Sequence, residues 1–194
     1  MLLKDFKNIH SDKKIIVCAS GESIHMITDC ALKSFDNIVL IGVSHVNRFI
    51  QTDYLICIDK AVEQINDDYE FIKNTNAEFV FTQLNDEELL INKAKKVFFS
   101  LGKKMGTTIS STHIDYSTNT AYLACLLASY MGAKKIGMIG NDFTKNHNLG
   151  KTELAKIELN KEYQNLRNNI NVPFVNLSEV SLIKTVPYQS INEF

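Results

Sequence analysis

The feature that most constrains this chain is a series of short, continuous apolar runs, at residues 15–19, 38–42, 54–58, 79–81, 97–100, 136–139 and 174–175, each bounded by polar turns. Runs that do not alternate suit strands covered on both faces, as in a parallel sheet between two layers of helices. Segments with helical character lie between them, at 23–33, 60–65, 86–94, 118–131 and 152–169. The order β-α-β-α therefore predicts a three-layer α/β domain with a mainly parallel sheet. A chain of 194 residues fits one domain, 1–194, and a hydrophobic content of 45% is enough for a single core. Residues 177–194 read as a C-terminal tail that packs on the domain or forms a subunit contact. The stretch 101–116, LGKKMGTTISSTHIDY, has two glycines, many hydroxyls and no period, and reads as a long loop.

Charge and composition narrow the partners. A net charge of -1, from 21 basic and 22 acidic residues, gives no whole-molecule attraction to nucleic acid or to an anionic membrane. No apolar run reaches the roughly 18–20 residues of a membrane span, and the first residues lack a signal-peptide core, so the expected address is the cytoplasm. Cys18, Cys30, Cys57 and Cys125 are widely spaced, which suggests buried reduced thiols rather than a zinc site or a disulfide framework.

Residues 117–143, STNTAYLACLLASYMGAKKIGMIGNDF, carry the strongest indication of a site. Ser117, Thr118, Asn119 and Thr120 can cap a helix whose first N–H groups face an anion, and Gly132 stops that helix. The next strand delivers Gly140, Asn141, Asp142 and Phe143 to its carboxyl edge, where ligands bind in open α/β sheets. The first strand ends in Ala19, Ser20, Gly21, Glu22 and Ser23, a small-residue turn suited either to cradling phosphate or simply to entering a helix. It is not a dinucleotide G-x-G-x-x-G. His45 and Asn47 follow the second strand and are placed to meet a base or ribose, or else lie in a solvated loop. Asp59, at the tip of the third, can hold a ribose hydroxyl, a divalent metal or only a helix start. His147 sits in a polar loop beside that edge and is a candidate general base, because its side chain titrates near neutrality. Gly150-Lys151-Thr152 is not a P-loop, since Lys145 stands where the first glycine belongs.

Taken in order, IIVCASGES, GVSHVNRF, YLICIDK, the 117–143 stretch and FVNLSEVSLIK resemble Rossmann-like proteins of the DUF115 kind. That group includes archaeal-type 6-hydroxymethylpterin diphosphokinase-like (MptE-like) proteins and is similar to the bacterial sialyltransferases of glycosyltransferase family 42. The resemblance spans about residues 13–188 and implies a single Rossmann-like domain that binds a nucleotide. In the relatives the first strand usually ends in G-x-G-P-S, whereas here Ala19 and Glu22 replace the first glycine and the proline. Asn47 is nearest to a nucleotide-contacting asparagine of the sialyltransferases, 118–120 matches their helix opening, and 140–143 matches their Gly-x-Asp-Phe strand end. Similar bacterial and phage chains share Asp142, His147, Asn160, Tyr163, Asn176, Ser178 and Ser181.

Three functions follow as expectations. The first is a nucleotide-sugar-dependent glycosyltransferase acting on a hydroxyl of a small molecule or glycan, with Asp142 or His147 near the reacting sugar. The second is diphosphate transfer from ATP, with Asp59 and Asp142 holding Mg²⁺, the one cofactor any of these readings needs. The third is a non-catalytic nucleotide-binding or sequestering protein. A homodimer is the base-rate expectation for assembly.

Overall fold

The computed structural model describes residues 1–26, 37–60, 68–144 and 152–194. Among the described residues nine strands form: β1 (Lys14–Cys18), β2 (Ile38–Val43), β3 (Tyr54–Ile56), β4 (Phe79–Thr82), β5 (Lys95–Phe98), β6 (Ser100–Lys104), β7 (His113–Tyr116), β8 (Lys135–Ile139) and β9 (Phe174–Asn176). Seven make one sheet in the order β5-β4-β3-β2-β1-β8-β9, with every pair parallel. The architecture is a Rossmann-like α/β domain. Alternate residues of each strand bury against opposite layers, which is why the runs are continuously apolar. Ile15, Val17, Val39, Ile41, Ile136 and Met138 face one core, shared with helices α2 (Thr120–Tyr130) and α3 (Glu153–Asn169). Ile16, Cys18, Leu40, Leu55 and Ile139 face the other, shared with Ile72 of helix α1 (Asp68–Lys73) and with Ile191 and Phe194.

Chain direction in the sheet sets the ligand edge. From β1 the chain steps outward through β2, β3, β4 and β5, then returns to place β8 on the other flank of β1. The two halves diverge between β1 and β8, and the crevice above such a switch point is where open parallel sheets take ligands.

Two expectations are corrected. Residues 86–94 form no continuous helix: Asn85 accepts from the N–H groups of Glu87 and Glu88, and Leu89 N–H bonds Asn85 O, completing one turn. Asn92 N–H then bonds Lys73 O and Lys95 N–H bonds Glu78 O, so tertiary pairing claims the backbone before a second turn forms. Residues 101–116 are not a structureless loop, because β6 and β7 pair in parallel as a separate two-stranded sheet. Buried Asp115 ties this unit together by accepting from Lys103 N–H (2.7 Å) and Thr108 N–H (2.9 Å). A Cβ on Gly102 would lie 2.3 Å from one Asp115 oxygen, and a Cβ on Gly106 2.2 Å from the other, which explains glycine at both positions.

Helix α2 begins and ends as expected, with Asn119 as N-cap and Gly132 at φ +84° just past its C-terminus. Helix α3 agrees with 152–169, capped by Thr152. The segments proposed as helical at 23–33 and 60–65 fall largely outside the described residues; the first begins in a 3₁₀ turn at Glu22–Ile24. No described helix is long and apolar enough to cross a membrane. Cys18, Cys57 and Cys125 are buried and free, while Cys30 lies outside the described residues.

Candidate functional site

At the switch point the turns after β1 and β8 lock together. Gly21 N–H donates to Gly140 O (2.7 Å), and the Ser23 hydroxyl accepts from Gly140 N–H (2.9 Å) while donating to Asp142 Oδ1 (2.7 Å). Asp142 Oδ2 accepts from Ser23 N–H (2.7 Å), and the residue is only 1% exposed. The N–H of the short turn that could meet a phosphate thus meets the chain's own carboxylate. Such close approach excludes side chains: a Cβ on Gly21 would sit 2.4 Å from Gly140 O, and one on Gly140, at φ +69°, 1.9 Å from Ala19 O. Above this latch the half-buried Ser20 has neither its N–H nor its hydroxyl bonded to any described residue, and Glu22 is exposed.

A second hydrogen-bonded chain ties the start of α2 to the same latch. Asn119 Oδ1 accepts from Tyr122 N–H (3.0 Å) and from the Tyr163 hydroxyl (2.8 Å), which in turn accepts from Asn141 Nδ2 (2.5 Å). Burial pushes the Tyr163 hydroxyl well above its ordinary pKa, so it stays a neutral donor. Ser181 Oγ caps the Asn141 carbonyl (3.0 Å), and Leu182 N–H caps that of Asp142 (2.9 Å). The N–H groups of Thr120 and Ala121 precede Tyr122, the first residue of the helix whose N–H finds a carbonyl acceptor (Asn119 O), and have no partner among the described residues. The structure therefore joins Gly21, Ser23, Asn119, Gly140, Asn141 and Asp142 into one rigid assembly at the carboxyl edge.

The remaining sequence candidates divide. Asp59 accepts from the Ser44 hydroxyl (3.1 Å) at the tips of β2 and β3. Ser44, directly after β2, and Phe143, four residues past the end of β8, hold left-handed backbone at φ 50° and 53°, uncommon for residues other than glycine. His45 Nδ1 lies 3.6 Å from Asp68, an acid that Arg48 also approaches at 3.6 Å. Asn47 turns away from the crevice: its amide donates to Thr75 and accepts from Thr52 (3.0 Å), residues that precede β4 and β3. His147 lies outside the described residues.

Thr118 is exposed, and its hydroxyl lies 3.0 Å from both carboxylate oxygens of Glu162, a residue only 4% exposed. Glu162 escaped the sequence reading. Its signal was an acid on the stripe that α3 otherwise buries through Leu159, Tyr163 and Leu166. Asn160 and Asn176 fasten the C-terminal segment. Asn160 Oδ1 accepts from Lys184 N–H (2.7 Å) and Thr185 N–H (3.1 Å), and Asn176 Oδ1 from Ser178 N–H (3.1 Å). No group of three or more His, Cys, Asp or Glu side chains able to hold a metal occurs among the described residues.

No protein-family model, no curated protein and no solved structure matches the chain.

Proposed function

We propose that this protein binds a nucleotide-linked sugar at the carboxyl edge of its sheet and transfers the sugar to a hydroxyl acceptor. The observation that carries the reading is a set of donors at the switch point without partners among the described residues: Ser20 through its N–H and hydroxyl, and Thr120 and Ala121 through their N–H groups. Donors fixed on a rigid support, with the positive end of the α2 dipole behind two of them, suit a phosphate group. Asp142 serves as the brace that shapes the β1 turn. In the reaction the acceptor oxygen bonds to the sugar's anomeric carbon as the bond from that carbon to phosphate oxygen breaks. The acceptor proton passes to His147, and the helix-start N–H groups stabilise the departing phosphate.

Diphosphate transfer from ATP is less well supported. It asks Asp59 and Asp142 to share Mg²⁺, but both oxygens of the nearly inaccessible Asp142 carboxylate accept hydrogen bonds from Ser23.

A thermal-shift screen with CMP, UDP, GDP, ADP, ATP and their common sugar conjugates, with and without Mg²⁺, tests the proposal. A ligand at 100 times its dissociation constant adds about 2.7 kcal/mol, or about 5–10 °C for a chain of this size. A sugar-nucleotide shift independent of Mg²⁺ supports the reading, and His147→Ala should then lower turnover while preserving affinity. A shift by ATP only with Mg²⁺ overturns it in favour of diphosphate transfer. No shift removes the nucleotide site altogether, and a bound sugar nucleotide that survives incubation with acceptors removes the transfer step.

A further inference from the structure

We propose that Glu162 sets the hydrogen-bond polarity of the α2 entrance, so that Thr118 receives a hydroxyl hydrogen from the ligand rather than donating to its phosphate. This inference rests on the nucleotide reading above and specifies which part of the ligand meets Thr118. A carboxylate only accepts, and offers about four lone-pair positions. Both Glu162 oxygens share the single hydrogen of Thr118, and no other described donor or cation reaches them. Burying an acid so sparsely satisfied is costly, and its neighbours on the α3 stripe are apolar.

The arrangement has a directional consequence. The hydrogen of Thr118 is drawn inward to Glu162, so the exposed side of its oxygen presents lone pairs. A phosphate oxygen placed there would face those lone pairs with a carboxylate behind them. A ligand hydroxyl would instead complete a relay, hydroxyl to Thr118 to Glu162, in which each hydrogen bond polarises the next. Two residues further on, the N–H of Thr120, without a partner among the described residues, suits an anion. A single nucleotide carries both groups: a phosphate for the helix start and, on its ribose or its attached sugar, a hydroxyl for Thr118.

The test is an NMR titration of the whole chain with CMP, UMP, GMP and AMP, their 2′-deoxy and 3′-deoxy forms, and UDP and GDP with and without an attached hexose. A ribose contact predicts that one deoxy series binds roughly tenfold more weakly, the size of one hydrogen bond. A sugar contact predicts no ribo/deoxy difference but a similar gain from the hexose. In either case Thr118→Val should abolish the preference. Glu162→Gln, whose neutral amide no longer fixes the Thr118 hydrogen inward as an acceptor-only carboxylate does, should reduce it. Thr118 is exposed, so its variant reports even if Glu162→Gln does not fold. A preference that survives Thr118→Val, or no preference in the wild-type protein, overturns the inference and leaves the nucleotide site standing. Failure of every nucleotide and nucleotide sugar to bind overturns both.

Discussion

Replacing Ser23 by alanine deletes one oxygen and breaks two bonds of different kinds. The hydroxyl accepts from Gly140 N–H at 2.9 Å and donates to Asp142 Oδ1 at 2.7 Å, all within buried surroundings. Loss of the acceptor leaves a buried backbone N–H unsatisfied, at a cost of roughly 1–3 kcal/mol, and loss of the donor removes a bond to a charged group worth roughly 1.5–3 kcal/mol. The two share one oxygen and are not additive, so the expected destabilisation is about 3–4 kcal/mol. For a chain of this length that lowers the melting temperature by about 6–16 °C, or the urea midpoint by about 1–2 M. Ser20→Ala, three residues earlier, removes a hydroxyl with no partner among the described residues and should change stability by less than about 0.5 kcal/mol. Parallel urea titrations of the two variants decide the matter. A Ser23→Ala midpoint within error of the wild type, or a Ser20→Ala loss of similar size, would refute the view that the β1 and β8 turns form a hydrogen-bonded latch.

Gly21→Ala should cost more than about 2 kcal/mol in the same titration, because its Cβ would lie 2.4 Å from a backbone oxygen and 2.7 Å from Asp142 Oδ2, neither free to move. Asn160→Ala should accelerate amide exchange at Lys184 and Thr185 at least tenfold while leaving β1 and β8 protected, since its Oδ1 accepts from both N–H groups; unchanged exchange there would count against the clasp. His10 supplies a pH dependence. Its Nε2 bonds the Tyr54 hydroxyl (2.9 Å), its Nδ1 has no partner among the described residues, and burial lowers its pKa from the ordinary 6.5, with Lys13 acting in the same direction. The unfolded chain therefore binds the proton more readily, so this stabilisation is full above pH 6.5 and declines as pH falls toward the lowered folded value. Urea midpoints at pH 7.5 and 5.5 should differ less in His10→Gln than in the wild type, and an unchanged difference would assign the effect elsewhere.

Legibility followed the range of the forces involved. Apolar runs such as 15–19 and 136–139 reveal strands because burial on both faces leaves a continuous mark in the chain. The limits of α2 are written in Asn119 and Gly132, whose effects act within a turn. The failures at 86–94 and 101–116 arose where distant partners decided: Lys73 and Glu78 capture the backbone of the first, and Asp115 folds the second around its carboxylate. Within the candidate site, the small residues at 19–23 and 140–143 lie at the carboxyl edge of the sheet, after β1 and β8, but their pattern did not show that the two turns bond each other.

The chain by itself thus determined the parallel α/β sheet, most of its strands and helices α2 and α3, because periodicity and capping are local properties that neighbouring residues enforce. Only the tertiary structure decided that Asp142 braces Ser23 across 119 positions, that Asn47 bonds Thr75 and Thr52 instead of facing the crevice, and that Glu162 lies behind Thr118. A hydrogen bond forms between whatever donor and acceptor the packing brings within about 3 Å, and that proximity leaves no periodic trace in the order of residues.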